Sequence, residues 1–279
     1  MFESQKMCLI SFIVPVYNSE SYVARCFSSL ASQSIDDIEV IFVDDHGKDN
    51  SIPLLQQLIT EYAGNKRFRI LSTRHNAGPG QARNVGIENA EGRYIAFVDS
   101  DDSIEPTFAE TLCMAIRVHD ADMALCNLTK IYPDGKRVDG VNPAVVSGSF
   151  IGDNKRNYLF KYTSYFTTYI YRRDLVIGNH IRFPNTNSAE DSCFLACCLL
   201  VANRIAAVDK SLYNYFIHPS SVSQHKNNQR FKARLDSFRH LRRFSKEKKL
   251  YRKYFFSIEC LIWRKGYLLS LVDVLRNRL

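Results

Sequence analysis

The chain has 279 residues, 46% of them hydrophobic, which is ample for a real core and excludes intrinsic disorder. The net charge of +8 is uneven: from Lys226 onward 16 Lys and Arg face four acids, while the residues before it carry 21 basic and 25 acidic side chains. No apolar run approaches the roughly 20 residues that span a bilayer, no secretory leader is expected, and the scattered cysteines contain no C-x-x-C pair, so a reducing cytosol is the expected compartment.

Leu9 to Val16 is an Ile/Val/Phe-rich run closed by Pro15 and reads as a buried strand. Asn18 or Ser19 is placed to cap a helix through Val23, Cys26, Phe27 and Leu30. Glu39 to Val43 predicts a second strand, ending in Asp44 and Asp45, and Ser51 opens a helix through Leu54, Leu55 and Leu58. Phe68 to Leu71 is a third strand. In NAGPGQARNVG, from Asn76 to Gly86, the glycines permit a tight turn before a further helix. Tyr94 to Val98 is a fourth strand and runs into Asp99, Asp101 and Asp102. A helix from Phe108 and a strand from Met123 to Asn127 complete an alternation that predicts a mostly parallel sheet with helices on both faces. Beyond Asn127 the alternation breaks. Pro133-Asp134-Gly135 marks a turn between extended segments, Tyr158 to Tyr171 is aromatic-rich, Asp191 to Val201 reads as a helix, and Ile205 to Val208 and Leu212 to Ile217 read as strands. Cys193, Cys197 and Cys198 read as small buried side chains on that helix.

The acids carry the chemistry. Asp44, Asp45, Asp99 and Asp101 all fall at strand C-termini, the edge at which open α/β sheets bind ligands. Side chains two apart on a strand share a face, so Asp99 and Asp101 are expected to enter one cleft. Clustered carboxylates ask for a cation, and hard oxygen ligands suit Mg²⁺ or Mn²⁺ carrying a diphosphate. Alone, the D-x-D pattern serves equally for a solvated turn ahead of the next helix. No G-x-G-x-x-G follows the first strand and no G-x-x-x-x-G-K-[ST] occurs, so phosphate is not expected to rest on a backbone cradle.

Taken together, SFIVPVYN, VDDHGKDNS, NAGPGQARNVG, YIAFVDSDD and AEDSCF, spread from about Ser11 to about Gln224, resemble the family 2 glycosyltransferases. The resemblance implies a GT-A fold and inverting transfer of a sugar from a nucleotide-diphosphate sugar, expected to be a UDP-sugar, to a hydroxyl of a glycan or lipid-linked acceptor, in bacterial envelope or capsular polysaccharide synthesis. It implies that Pro15, Tyr17 and Asp45 hold the base and that Asp99 lies near the ribose. Asp101 would bind the Mn²⁺ or Mg²⁺, weakly assisted by His218, and Asp191 would be the general base. Arg83 is counted among the nucleotide-sugar-binding residues as partner to an acid of the site, with a structural ion pair as the alternative. One departure is local: His46-Gly47 stands where the family has Gly-Ser.

The expected organisation is a glycosyltransferase domain over 1–224, with a nucleotide-binding half over 1–127 and an acceptor-side half over 128–224, followed by a basic amphipathic helical extension over 225–279. In that extension Phe231, Leu235 and Phe238, then Tyr251, Tyr254, Phe255, Ile258 and Ile262, recur at helical spacing beside twelve basic residues between Lys226 and Lys253. Such a segment can lie on an anionic membrane surface, which would place the protein peripherally on the inner face of the plasma membrane. The other reading is a stripe packed on the domain. A nucleotidyltransferase would need a basic residue in a glycine-rich first loop, and VPVYNSES offers none. Nothing before the tail resembles a base-reading module, so no nucleic-acid partner is expected.

Overall fold

The computed structural model describes residues 9–140, 150–151, 165–218 and 229–268. The first half alternates β1 (Ile10–Val16), α1 (Val23–Ala31), β2 (Ile38–Asp44), α2 (Ser51–Glu61), β3 (Arg67–Ser72), α3 (Pro79–Asn89) and β4 (Tyr94–Phe97). Then come β5 (Ser103–Ile104), α4 (Phe108–His119), β6 (Met123–Ile131), β7 (Arg137–Gly140) and β8 (Phe150–Ile151). The second half adds β9 (Tyr169–Arg172), α5 (Arg173–Gly178), α6 (Glu190–Val201) and β10 (Arg204–Phe216). It closes with α7 (Gln229–Glu247), α8 (Phe255–Leu261) and a π-helical segment, Ile262–Leu268.

The strands form one sheet in the order β3-β2-β1-β4-β9-β6-β10-β5, with β7 on β6 and β8 on β10. β3, β2, β1 and β4 are parallel neighbours, as are β6 and β10. β9 runs antiparallel between β4 and β6. The sheet is therefore mixed and mostly parallel, and the inserted β9 is what the alternation of elements did not foretell. The two strands expected over 205–217 are one strand, β10, with irregular register between Val208 and Tyr213. The Pro133-Asp134-Gly135 turn joins β6 to β7.

Both faces of the central strands are buried, so β1, β2 and β4 read as continuous apolar runs rather than alternating ones. Ile13, Ile41, Val43, Ile95 and Phe97 point to the face covered by α3 and α6. Phe12, Val14, Val40, Phe42 and Ala96 point to the face covered by α1, α2 and α4. Helix α6 is apolar nearly all round, and Cys193, Cys197 and Cys198 are wholly buried in it.

The extension is part of this core rather than a separate appendage. Phe238 and Leu241 of α7, Tyr254, Ile258 and Leu261 near and in α8, and Ile262 are buried in the same cluster as Phe194, Leu195 and Cys198 of α6. Most of the predicted apolar stripe thus faces inward, and α7 packs on α6. The segment 219–228, with the expected boundary at residue 224, lies outside the described residues, as do 141–149 and 152–164 of the expected acceptor-side half.

Candidate active site

β1 and β4 run together only as far as Ile13 and Phe97, with Val98 N–H donating to the Ile13 carbonyl at 3.1 Å. Residues 13 and 15 share one edge of β1, so the N–H that Pro15 lacks would point where β4 has already turned away. This is where the sheet's crossovers reverse direction, the usual ligand position in such folds. Pro15 itself is buried and paired with Val43. Tyr17, just beyond, is 46% exposed, which rules out a core role and leaves its ring open to a ligand.

Asp45, by contrast, is 2% exposed and held from the next crossover. Its Oδ1 accepts from Ala77 N–H (2.9 Å) and Thr73 Oγ1 (3.0 Å), and its Oδ2 accepts from Gly78 N–H (2.8 Å). Among the described residues one acceptor position on Oδ2 stays uncommitted. Asp44 receives His46 N–H (2.8 Å), the strand-end role that suits it. His46 takes φ 59°, the left-handed conformation that glycine favours, and its Nε2 sits 2.7 Å from the Thr73 carbonyl oxygen. A Cβ on Gly47 would lie 2.7 Å from Asn18 N, so that glycine is required by close approach of the two loops. Ser19 does not cap α1. Its N–H donates to Ser51 Oγ (2.8 Å) and its hydroxyl meets Ser100 Oγ (2.6 Å).

The acids after β4 do not continue the strand. Asp102 N–H donates to the Asp99 carbonyl (3.0 Å), so Asp99–Asp102 is a turn, and the expected strand-face alternation gives way to it. The carboxylates still crowd together. Burial, then the charge of Asp99, pushes the Asp101 carboxyl up, while His218 and Arg25 hold it down. Arg25 donates to the Asp101 carbonyl and stacks on Phe216 at 3.4 Å, and the His218 ring stacks on Tyr22 at 4.2 Å. Asp102 is 1% exposed and structural: it accepts from Tyr213 Oη (2.7 Å) and Phe216 N–H (2.9 Å), tying β10 to the turn.

Arg83 joins the two halves. From α3, 5% exposed, it donates to Asp99 Oδ1 at 2.6 Å and lies 3.9 Å from Glu190 Oε1 at the start of α6. Burial opposes its charge, but Asp99, Glu190 and Asp191 together raise its pKa. It stacks over Phe166 at 4.7 Å. Arg83 therefore pairs with Asp99, an arrangement that either reading of the sequence allows. Asn84, on the next residue of α3, clamps Phe183 by both its N–H (2.9 Å) and its carbonyl (2.9 Å). A Cβ on Gly80 would lie 3.2 Å from Glu190 Cγ, and one on Gly86 only 2.3 Å from Ile13 Cγ2. The NAGPGQARNVG motif therefore works as a docking surface that brings α6 against the end of β4.

At the α6 N-terminus Glu190 is pushed up to about 7 by burial and by Asp191, with Arg83 opposing. Asp191 is partly exposed, and its Oδ1 accepts Ser192 N–H at 2.6 Å. Sequence reasoning missed Arg25, Asn84, Tyr213, Ser237 and Lys265. Asn84 lay inside a motif in view. Lys265, a cation in the apolar run LIWRKGYLL, was the one other signal available.

Residues 11–185 match the family described as Glycosyl transferase family 2. The chain belongs to that family. EpsH of Bacillus subtilis (strain 168) is 33% identical over 236 residues, 81% of this chain and 66% of EpsH. The poly(ribitol-phosphate) beta-N-acetylglucosaminyltransferase TarS of Staphylococcus aureus (strain MW2) is 33% identical over 217 residues, 75% of this chain and 35% of TarS. The crystal structure of S. aureus TarS 1-349 in complex with UDP-GlcNAc superposes with a TM-score of 0.72 at 25% identity, covering 94% of this chain and 76% of that one. The fold is thus GT-A-like. The chain spans just under two thirds of the length of EpsH and about one third of TarS.

A divalent cation is implied by the fold family. Among the described residues no group of three or more His, Cys, Asp or Glu side chains forms a metal cage. What exists is the Asp101 carboxylate, raised by burial and by Asp99, with an imidazole beside it. Such a donor set suits a cation that brings its remaining oxygens from a diphosphate and water.

Proposed function

We propose that this protein is an inverting glycosyltransferase that moves a sugar from a UDP-sugar to a hydroxyl of a glycan or lipid-linked acceptor in bacterial cell-envelope polysaccharide synthesis. The observation that carries this reading is the Asp99–Arg83–Glu190 bridge, which sets the acids after β4 beside the first turn of α6, where Asp191 stands. The uracil would lie between Pro15 and Tyr17, its ring N–H donating to the open position on Asp45 Oδ2. Asp99 would accept from the ribose while Arg83 fixes its other oxygen. Asp101, with His218, would hold Mn²⁺ or Mg²⁺, which would supply neutralisation of the diphosphate leaving group. Asp191 would take the proton of the attacking hydroxyl as that oxygen bonds to the anomeric carbon opposite the departing diphosphate. One carboxylate on the acceptor side suffices for inversion, and no covalent intermediate forms.

The names and complexes of the relatives support UDP-GlcNAc as the first donor to try, since TarS is an N-acetylglucosaminyltransferase crystallised with that nucleotide sugar. The test is release of UDP from UDP-GlcNAc, UDP-glucose and UDP-galactose with Mn²⁺, alongside thermal-shift titration with UDP with and without Mn²⁺. Neither release nor stabilisation with any of them would sink the reading.

A peripheral membrane position is the second part of the proposal, and it moves to a different surface. No helix among the described residues is long and apolar enough to cross a membrane. Phe256 is 80% exposed and Trp263 61%, and Arg252 and Lys253 are exposed in the turn before α8, so the extension presents both aromatics and cations to the outside. Co-sedimentation with anionic liposomes that survives Phe256→Ser with Trp263→Ser would refute this face as the contact.

A further inference from the structure

The extension reaches the first turn of α6 at two points. Ser237 of α7 is wholly buried; it donates to the Ser188 carbonyl (2.8 Å), hydrogen-bonds Thr186 Oγ1, and its own carbonyl accepts from Cys193 Sγ (3.1 Å). That clamps the loop 186–189 from one side. On the other, Lys265 of the π-helical segment donates from Nζ to Ser192 Oγ at 3.1 Å. Ser192 N–H in turn donates to Asp191 Oδ1. Ammonium, hydroxyl, peptide N–H and carboxylate thus form one chain of contacts, starting 73 residues beyond Ser192 in sequence.

A buried ammonium is costly unless it is paired. Lys265 donates to the neutral Ser192 hydroxyl, and the Asp191 carboxylate favours its charge. The α6 N-terminus has no side-chain cap to fix its first turn, and it begins at Ala189 with φ 59°. A general base must keep its aim within hydrogen-bond reach of the proton it removes. We propose that Lys265 is a positioning residue for the transfer reaction, delivered by the C-terminal segment to fix Ser192 and hold the Asp191 carboxylate in place. The inference rests on the reading of Asp191 as the base. It makes the extension a part of the catalytic centre.

The charge of Lys265 is available for this only over a limited pH range. Burial pushes its pKa down to about 8; Asp191 pulls it up and Arg264 adds to the fall. The experiment uses the full chain as wild type, Lys265→Met, Lys265→Arg and Asp191→Asn. Two readouts are taken. The first is UDP release from UDP-GlcNAc with water as acceptor, between pH 6 and 9.5. Lys265→Met is expected to lower kcat about tenfold, a fraction of the 10²–10⁴-fold that a positioned base is worth, with donor KM unchanged. Wild-type kcat is expected to fall above about pH 8, whereas Lys265→Arg, charged throughout, holds its rate. The second readout needs no substrate. The ε-carbon resonance of Lys265, in protein ¹³C-labelled at lysine and assigned by its absence from Lys265→Arg, is titrated in wild type and in Asp191→Asn. Its midpoint is expected to drop in the variant. An unchanged midpoint overturns the inference, as does a Lys265→Met enzyme with wild-type kcat and pH profile. If the wild-type protein releases nucleotide from no UDP-sugar, the transferase reading fails by itself, and the titration still decides whether Lys265 and Asp191 are coupled.

Discussion

Glu190 carries a charge problem that Asp191 helps to create. The folded protein keeps the Glu190 proton up to about pH 7, against 4.5 for the ordinary side chain. Its contribution to stability is therefore full below about pH 4.5 and is lost as the pH rises through 7. Glu190→Gln should gain on wild type by up to about 3 kcal/mol between pH 4.5 and 8, as read from urea midpoints at the two pH values. A stability difference that does not vary with pH would show that Arg83 keeps Glu190 ionised throughout. Asp191→Asn should keep donor affinity and lose about 10²–10⁴-fold in turnover, because the amide fills the same space without accepting the proton. Asp101→Asn should remove the Mn²⁺-dependent part of UDP binding by calorimetry and spare the metal-independent part, because the base and ribose contacts lie elsewhere. UDP affinity that still rises with Mn²⁺ in that variant would move the metal away from Asp101.

Elements place these residues, and α3 is the one on which placement turns. Its Gly86 sits so close to β1 that an added Cβ would meet Ile13 Cγ2 at 2.3 Å. Gly86→Ala should cost about 1–3 kcal/mol through overpacking, whereas Gly178→Ala, with no atom within 4 Å of the new Cβ, should be nearly neutral. Thermal melts of both variants check the contrast; equal Tm values would mean that α3 can shift without loss. The parallel strands β1, β2 and β4 were legible in the sequence because each is an apolar run cut off by Pro or Asp, and buried strands of parallel sheets have that signature. β9 was not legible. It is four residues long, and its partners in β4 and β6 are set by pairing across long sequence separations, on which local pattern is silent. For the same reason Asp99 and Asp101 were legible as site residues but not as members of a turn, since that turn is anchored by Tyr213 Oη, at 3.3 Å from Asp99 N and 2.7 Å from Asp102.

At the scale of the whole molecule the basic C-terminal segment was half legible. Its spacing identified helices, and periodicity alone does not say whether an apolar stripe meets lipid or protein. The partner is α6, whose surface is apolar nearly all round and therefore needs cover on every side. A chain cut at Gln224 should be insoluble or bind a dye for exposed apolar surface, while Phe256→Ser, at an exposed position, should stay monodisperse in gel filtration. A soluble, cooperatively melting truncation would show that α6 can be covered without α7 and α8.

The dependence of α6 on later residues also has a consequence in time. During synthesis α6 is complete at Val201, but its cover is not finished until Ile262 has been added. At roughly 5–20 residues per second the ribosome needs about 3–12 s to make those residues. Through that interval the nascent chain carries a greasy helix whose outer side, away from the sheet, has nothing to lie against. Translation pauses within α7 or α8 would lengthen the exposure, so the yield of active protein should depend on codon choice in those two helices more than on codon choice in the first half of the gene.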